Sequence, residues 1–173
     1  MEIVIRKALP EDASNYANCH ISCWLSAYKG IVSYEFLGSL PSEAESRCER
    51  YKQAFINPGS CEYYCVEREG KMIGFLFFGS SSDEDKPLAG DVIAIYLLEE
   101  FWSKGYGRKM MDYAVERLRQ LGHSEIILWT FERNARARRF YEKYGFSLDG
   151  RTKEMSNWGG PLPLVRYALN LGE

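Results

Sequence analysis

No run of this sequence approaches the roughly 20 consecutive apolar residues that a membrane-spanning helix needs. The opening "MEIVIRKALPEDA" reads as a short strand followed by acidic helix-starting residues, not as a targeting segment. The expectation is a cytoplasmic protein with no membrane partner. An excess of positive charge is also missing: 22 Lys and Arg stand against 24 Asp and Glu, a net charge of -2. Wholesale nucleic-acid binding needs a dominant basic face, so no nucleic-acid partner is expected. The CxxC spacing of zinc sites is absent too. The five cysteines include two pairs at CxxxC spacing, Cys19 with Cys23 and Cys61 with Cys65, and the odd count argues against a disulfide framework. Each pair shares one face, of a helix or of a strand, which reads as buried reduced thiols and predicts no metal site.

What is present is material for a core. At 46% hydrophobic and 14% aromatic, the 173 residues fit one domain, residues 1–173, without the composition of a disordered chain. Glu2 to Ala8 alternate as a strand, and Pro10, Glu11 and Asp12 supply first-turn helix chemistry. The helix that follows carries Tyr16, Ile21, Trp24 and Tyr28 at helical spacing and stops at Gly30. A second helix is predicted from "SEAE", with Ser42 and Glu45 as a capping box and Ala44, Cys48, Tyr51 and Phe55 inward, ending at "NPG". "CEYYCVERE" and "KMIGFLFFGS" form an antiparallel hairpin turning at Glu69 and Gly70. A polar loop, "SSSDEDKPLAG", leads to the strand "DVIAIYLL", and the next helix ends at Gly122. "SEIILWTFE" is apolar at nearly every position, which predicts a central strand covered on both faces. Asn134 can cap the next helix, Gly145 stops it, and "FSLDGR" and "LPLVRYALNL" close the chain as strands. The order is mixed α and β, antiparallel in front with a strand, helix, strand, helix unit behind.

The stretch "LEEFWSKGYGRKMMDYAVERL" sets two glycines, Gly105 and Gly107, between a strand and a helix, with Lys104, Arg108 and Lys109 beside them. A dinucleotide fingerprint needs a third glycine where Met110 stands, and the P-loop pattern is absent. What remains is either a tight strand-to-helix turn or an anion site built from free amides at a helix start.

Taken with "WTFERNARARRFYEKYGF", the turn resembles the GNAT acetyltransferase superfamily. Its first motif, Q/R-x-x-G-x-G/A, corresponds to Trp102, Gly105 and Gly107. Its second corresponds to Asn134, Phe140, Tyr141, Gly145 and Phe146. Trp102 departs from the usual Gln or Arg. The similarity runs along the whole chain, through "RKALPED", "HISCWLSAYKG" and "LVRYALNL". It implies the α+β fold of acyl-CoA N-acyltransferases, with about seven strands in a mostly antiparallel, centrally splayed sheet and about four helices. It also implies acetyl-CoA as cofactor, its pyrophosphate received by the backbone of Trp102, Ser103, Lys104, Gly105, Tyr106 and Gly107 and by Arg108. Ile95, Tyr96 and Leu97 correspond to the strand that pairs with the pantetheine arm and polarises the thioester carbonyl. On composition alone they are simply a buried strand.

The implied activity is N-acetyl transfer to a primary amine of a small molecule or peptide, with room for a homodimer. A non-catalytic acyl-CoA-binding or sensor domain is the alternative. Tyr141 matches the family's proton donor to the departing thiolate, and a phenol of pKa about 10 keeps its proton at neutral pH. It can equally be a core tyrosine. Asn134 can cap its helix, contact the pantetheine arm, or both. Arg133, Arg136, Arg138 and Arg139 read as a solvated helix face or as partners of coenzyme A phosphates. The glutamate that many relatives use as base is missing: Ala94 and Trp129 stand at the comparable positions. His20, Glu67, Asp91 or water could take the proton. His20, Trp24, Tyr28 and Trp129 are the candidates for the acceptor side, as site or as core.

Overall fold

The computed structural model describes residues 2–172. One seven-stranded sheet organises them, in the order β1-β2-β3-β4-β5-β7-β6. These strands are β1 (Val4–Lys7), β2 (Cys61–Arg68), β3 (Lys71–Ser80), β4 (Gly90–Leu97), β5 (Glu125–Phe131), β6 (Ser147–Met155) and β7 (Leu162–Asn170). Every neighbouring pair is antiparallel except β4 with β5. Helices α1 (Ala13–Ala27), α2 (Tyr34–Ser39) and α3 (Ala44–Ile56) cover one face, and α4 (Tyr106–Gln120) and α5 (Ala135–Tyr144) cover the other. This is an α+β arrangement in three layers. Among the described residues no helix is long and apolar enough to cross a membrane.

The apolar patterns explain the layers. Met110, Met111, Ala114 and Leu118 recur along one side of α4 and bury against Leu76, Phe78, Ile126 and Leu128. Tyr16, Cys19 and Cys23 of α1 bury against Cys65, Phe75 and Ala94 on the opposite face. The sulfurs of Cys19 and Cys23 lie 4.0 Å apart in that core, and all five cysteines are free thiols. β5 is covered on both sides, as its unbroken apolar run predicts.

Two expectations are corrected. Helix α2 is an additional element that runs through a 3-10 turn, Leu40–Glu43, directly into α3. The predicted capping box is therefore absent: Glu43 occupies the cap position, and the Ser42 hydroxyl donates to the Ser39 carbonyl at 2.6 Å. With the chain arriving already helical, α3 has no isolated N-terminus for Ser42 to close.

The decisive irregularity lies in β4. Phe77 faces Ala94 and Gly79 faces Asp91, so β4 spends one more residue than β3 over the same interval. Such a bulge bends its strand and reverses the faces of the residues beyond it. Val92 accordingly joins the core under α4, whereas Ala94, two residues on, joins the core under α1. β4 meets β5 only at Gly90 with Ile126 and Asp91 with Ile127, and the two strands then part.

Candidate active site

A cleft of about 600 Å³ fills the gap where β4 and β5 diverge. That volume lies in the usual range for a cofactor site. One wall is the β4 segment 92–97. Its residues Ala94 to Leu97 pair with β3 on one edge, and their other edge opens into the cleft. A strand edge without a partner presents backbone amides and carbonyls to whatever lies beside it. Ile95, Tyr96 and Leu97 are all on this wall.

At the end of β4 the chain makes the glycine turn. Ser103 and Gly105 both have positive φ, 59° and 82°, and Gly105 sits at the cap position of α4 with no side-chain cap. The first amides of α4 are thereby left free, at the positive end of its dipole. The Trp102 indole donates to the Leu97 carbonyl at 2.8 Å, tying the turn to the strand it follows. Trp102, Ser103, Gly105, Gly107 and Arg108 line the cleft. The side chains of Lys104 and Tyr106 do not. Lys104 extends over Phe101, and Tyr106 is buried in the core beneath α4, so only their backbones remain available to the turn.

Helix α5 supplies the opposite wall with Asn134, Ala137, Phe140, Tyr141 and Tyr144. Asn134 caps the helix, its side-chain oxygen accepting from Ala137 N at 3.2 Å. Tyr141 is buried, and its hydroxyl has no hydrogen bond among the described residues. Burial first, then neighbouring Tyr96, raises its pKa well above that of a free phenol, with Arg136 pulling slightly the other way. Tyr141 thus stays protonated.

Two of the four arginines of "RNARARR" make contacts beyond solvent. Arg136 lines the cleft and stacks its guanidinium 3.4 Å from the Trp102 ring centre. Arg138 donates to the Tyr167 hydroxyl at 3.0 Å and to the Glu132 carbonyl at 3.1 Å. Charge runs conceal such assignments, because long cationic side chains lay their stems along neighbouring surfaces. With Arg108 and Lys143, Arg136 gives the cleft three cations, while its lining contains no Asp, Glu or His. This sign and the free helix amides suit a polyanionic ligand.

The acceptor-side candidates divide. Tyr28 and Trp129 line the cleft, and the hydroxyls of Tyr28 and Tyr96 hydrogen-bond across it. Trp129 donates from its indole to Asp83 at 2.9 Å. His20 and Trp24 line a separate hollow between α1 and α3. The His20 Nδ1 pairs with the Tyr51 hydroxyl at 2.6 Å, and burial, with Arg47 and Arg50 adding to it, lowers its pKa to about 3. It is therefore a poor proton acceptor at neutral pH. Glu67 is held by Arg6 at 2.6 Å, far along β2. Asp91 lies at the root of the splay but not on the cleft lining; burial, then Asp83, pushes its carboxyl up to about 7.

Residues 24–146 match the model of the Acetyltransferase (GNAT) family. The chain belongs to the GNAT acetyltransferase family. It is 32% identical to a probable N-acetyltransferase, Rv2775, of Mycobacterium tuberculosis, covering 96% of this chain and 93% of that protein. Among solved structures it resembles the PaiA N-acetyltransferase of Thermoplasma acidophilum in complex with coenzyme A, with a TM-score of 0.75 at 19% identity over 98% of this chain and 99% of that one. It also resembles yncA of Salmonella typhimurium, a putative acetyltransferase with its cofactor acetyl-CoA, with a TM-score of 0.69 at 18% identity over 99% and 95%. This GNAT chain is an N-acetyltransferase.

Proposed function

We propose that this GNAT enzyme transfers acetyl from acetyl-CoA directly to a primary amine of a small molecule or peptide, with Tyr141 giving the proton that the departing thiolate takes. As a member of its family the protein uses acetyl-CoA, which supplies an acetyl group activated as a thioester. The observation that carries the reading is the continuity of one cleft wall: the open edge of β4 at Ile95, Tyr96 and Leu97 leads through Trp102, Ser103 and Gly105 to the free amides at the start of α4.

In this reading the β4 backbone donates to the acetyl carbonyl oxygen and stabilises the charge that grows there. Amides from Trp102 through Gly107, with Arg108, hold the pyrophosphate. Gly107 gives independent support. A Cβ there would meet the Phe140 ring at an ordinary 3.5 Å, so nothing within the protein requires glycine, and a ligand's close approach would. Asn134 keeps its helix capped while its side chain faces the cleft. Tyr141 holds its proton until sulfur takes it. The lining contains no cysteine to form an acyl-enzyme and no side chain suited to deprotonating the amine, so the amine reacts in its neutral form after losing its proton to water.

The test is Tyr141→Phe. Turnover should fall by about 100-fold, the lower range for removal of a general acid, with acetyl-CoA affinity held within about twofold. Equal turnover in variant and wild type across pH removes Tyr141 from the chemistry.

A further inference from the structure

The second hollow, about 470 Å³, lies between α1, α3 and the loop joining β6 to β7. Its walls are aromatic: Trp158 stands with its ring centre 4.4 Å from that of Trp24 and stacks on Phe36 at 5.3 Å. The loop is seated firmly, since Gly159 lies so close to Ser33 that a Cβ there would fall 2.0 Å from the Ser33 hydroxyl.

The polar lining of this hollow has one sign in excess. Its single carboxylate, Glu43, is taken by Arg47, whose Nε and Nη2 donate to Oε2 at 3.2 and 2.9 Å. Arg47 is itself buried, its guanidinium 5.1 Å from the Trp24 ring centre. Arg50 stands at the rim with no ion pair or hydrogen bond among the described residues. The field of both arginines reaches inside, where it adds to burial in keeping His20 neutral. The His20 Nε2 is buried without a hydrogen-bond partner.

Only one layer of rings divides this hollow from the cleft. Trp24 and His20 belong to the hollow and Tyr28 and Tyr96 to the cleft, with ring centres 5.5 Å apart for Trp24 and Tyr28 and 5.9 Å apart for His20 and Tyr96. The layer is fastened by the hydrogen bond between the Tyr28 and Tyr96 hydroxyls, which an incoming amine can replace with its own.

We propose that the hollow receives the acetyl acceptor and selects an amine that also carries a carboxylate, with the carboxylate at Arg50 and Arg47, an apolar body against the lining rings of Trp24, Phe36 and Trp158, and the amine against Tyr28 and Tyr96. This rests on the cleft being the acetyl-CoA site. The transfer balances as for any amine: nitrogen bonds the acetyl carbon, the carbon–sulfur bond breaks, the amine loses a proton and the thiolate gains one. A polyamine is disfavoured, because its second ammonium would lie beside Arg50 with only the already paired Glu43 to offset it.

The experiment measures CoA release from acetyl-CoA with amino acids whose amine and carboxylate are separated by an apolar chain, the same compounds as carboxamides, and spermidine. The acids should exceed their amides by about tenfold or more in kcat/KM, the size of one charge-assisted hydrogen bond. Arg50→Gln should shrink that ratio to within about twofold by raising KM for the acids, with the melting temperature and acetyl-CoA affinity kept. Preference for amides or spermidine, or an equal loss on acids and amides in Arg50→Gln, overturns the proposal. Binding of acetyl-CoA by calorimetry without turnover of any acid also overturns it, whereas failure to bind acetyl-CoA overturns the reading of the cleft itself.

Discussion

Replacing Asp91 by Asn should stabilise the protein, and the gain should grow with pH. Asp91 occupies the last paired rung before β4 leaves β5, facing Ile127. Its Oδ1 is buried with no hydrogen-bond partner. Burial is the main force on it; Asp83 opposes its charge, Lys153 and Arg166 favour it, and Cys61 on β2 feels it. The carboxyl pKa therefore rises from 3.8 to about 7 on folding. The sign follows. Below 3.8 both states are protonated and the group contributes nothing. As pH climbs, the unfolded chain gives up its proton first, so folding is progressively disfavoured until about pH 7, and the penalty is constant above. The full penalty is about 4 kcal/mol, and the part arising between pH 5 and 8 is about 2–3 kcal/mol. Asn does not titrate but keeps an unpaired amide, so part of the gain is lost. Urea unfolding of both proteins at intervals from pH 5 to pH 8 reads the difference. A gap between them that stays flat, or widens toward acid, refutes the reasoning. Turnover should stay within about threefold, because a general base would be worth about 100-fold or more.

The glycine turn yields two further predictions. Gly105→Ala forces a side chain onto a φ of 82° in otherwise open space, so the loss should be the left-handed backbone strain alone, about 1–2 kcal/mol by urea unfolding; a loss above about 4 kcal/mol would mean that crowding, not φ, fixes the glycine. Trp102→Phe keeps a ring beneath Arg136 but removes the 2.8 Å bond to the Leu97 carbonyl, and should lower stability by about 1 kcal/mol and raise KM for acetyl-CoA. An unchanged KM would mean that the turn is positioned without that bond.

Most elements were legible because their cause is local. The period of Met110, Met111, Ala114 and Leu118, the unbroken run of β5 and the stop at Gly145 each need only neighbouring residues to be read. Helix α2 was not legible: its six residues, "YEFLGS", are too few to display a period. That the acceptor-side candidates divide between two spaces was not legible, for a geometric reason. Residues four apart on a helix drift by about 40° around its axis, so His20 and Tyr28, eight apart, point about 80° away from each other. The i, i+4, i+8 spacing suggested one pocket, whereas the helix delivers Tyr28 to the cleft and His20 and Trp24 to the hollow. Arg136 was hidden among like charges, and its place on the cleft wall and over the ring of Trp102 distinguishes it from Arg133 and Arg139.

The bulge in β4 gives the cleft an unusual kind of robustness. The opening exists because one strand holds an extra residue between fixed partners, Phe77 with Ala94 and Gly79 with Asp91. It is written in a residue count and not in side-chain identities. Substitutions along 92–97 can reshape the wall and retune what it accepts while the gap persists, whereas loss of a single residue there would restore the register and zip the sheet shut.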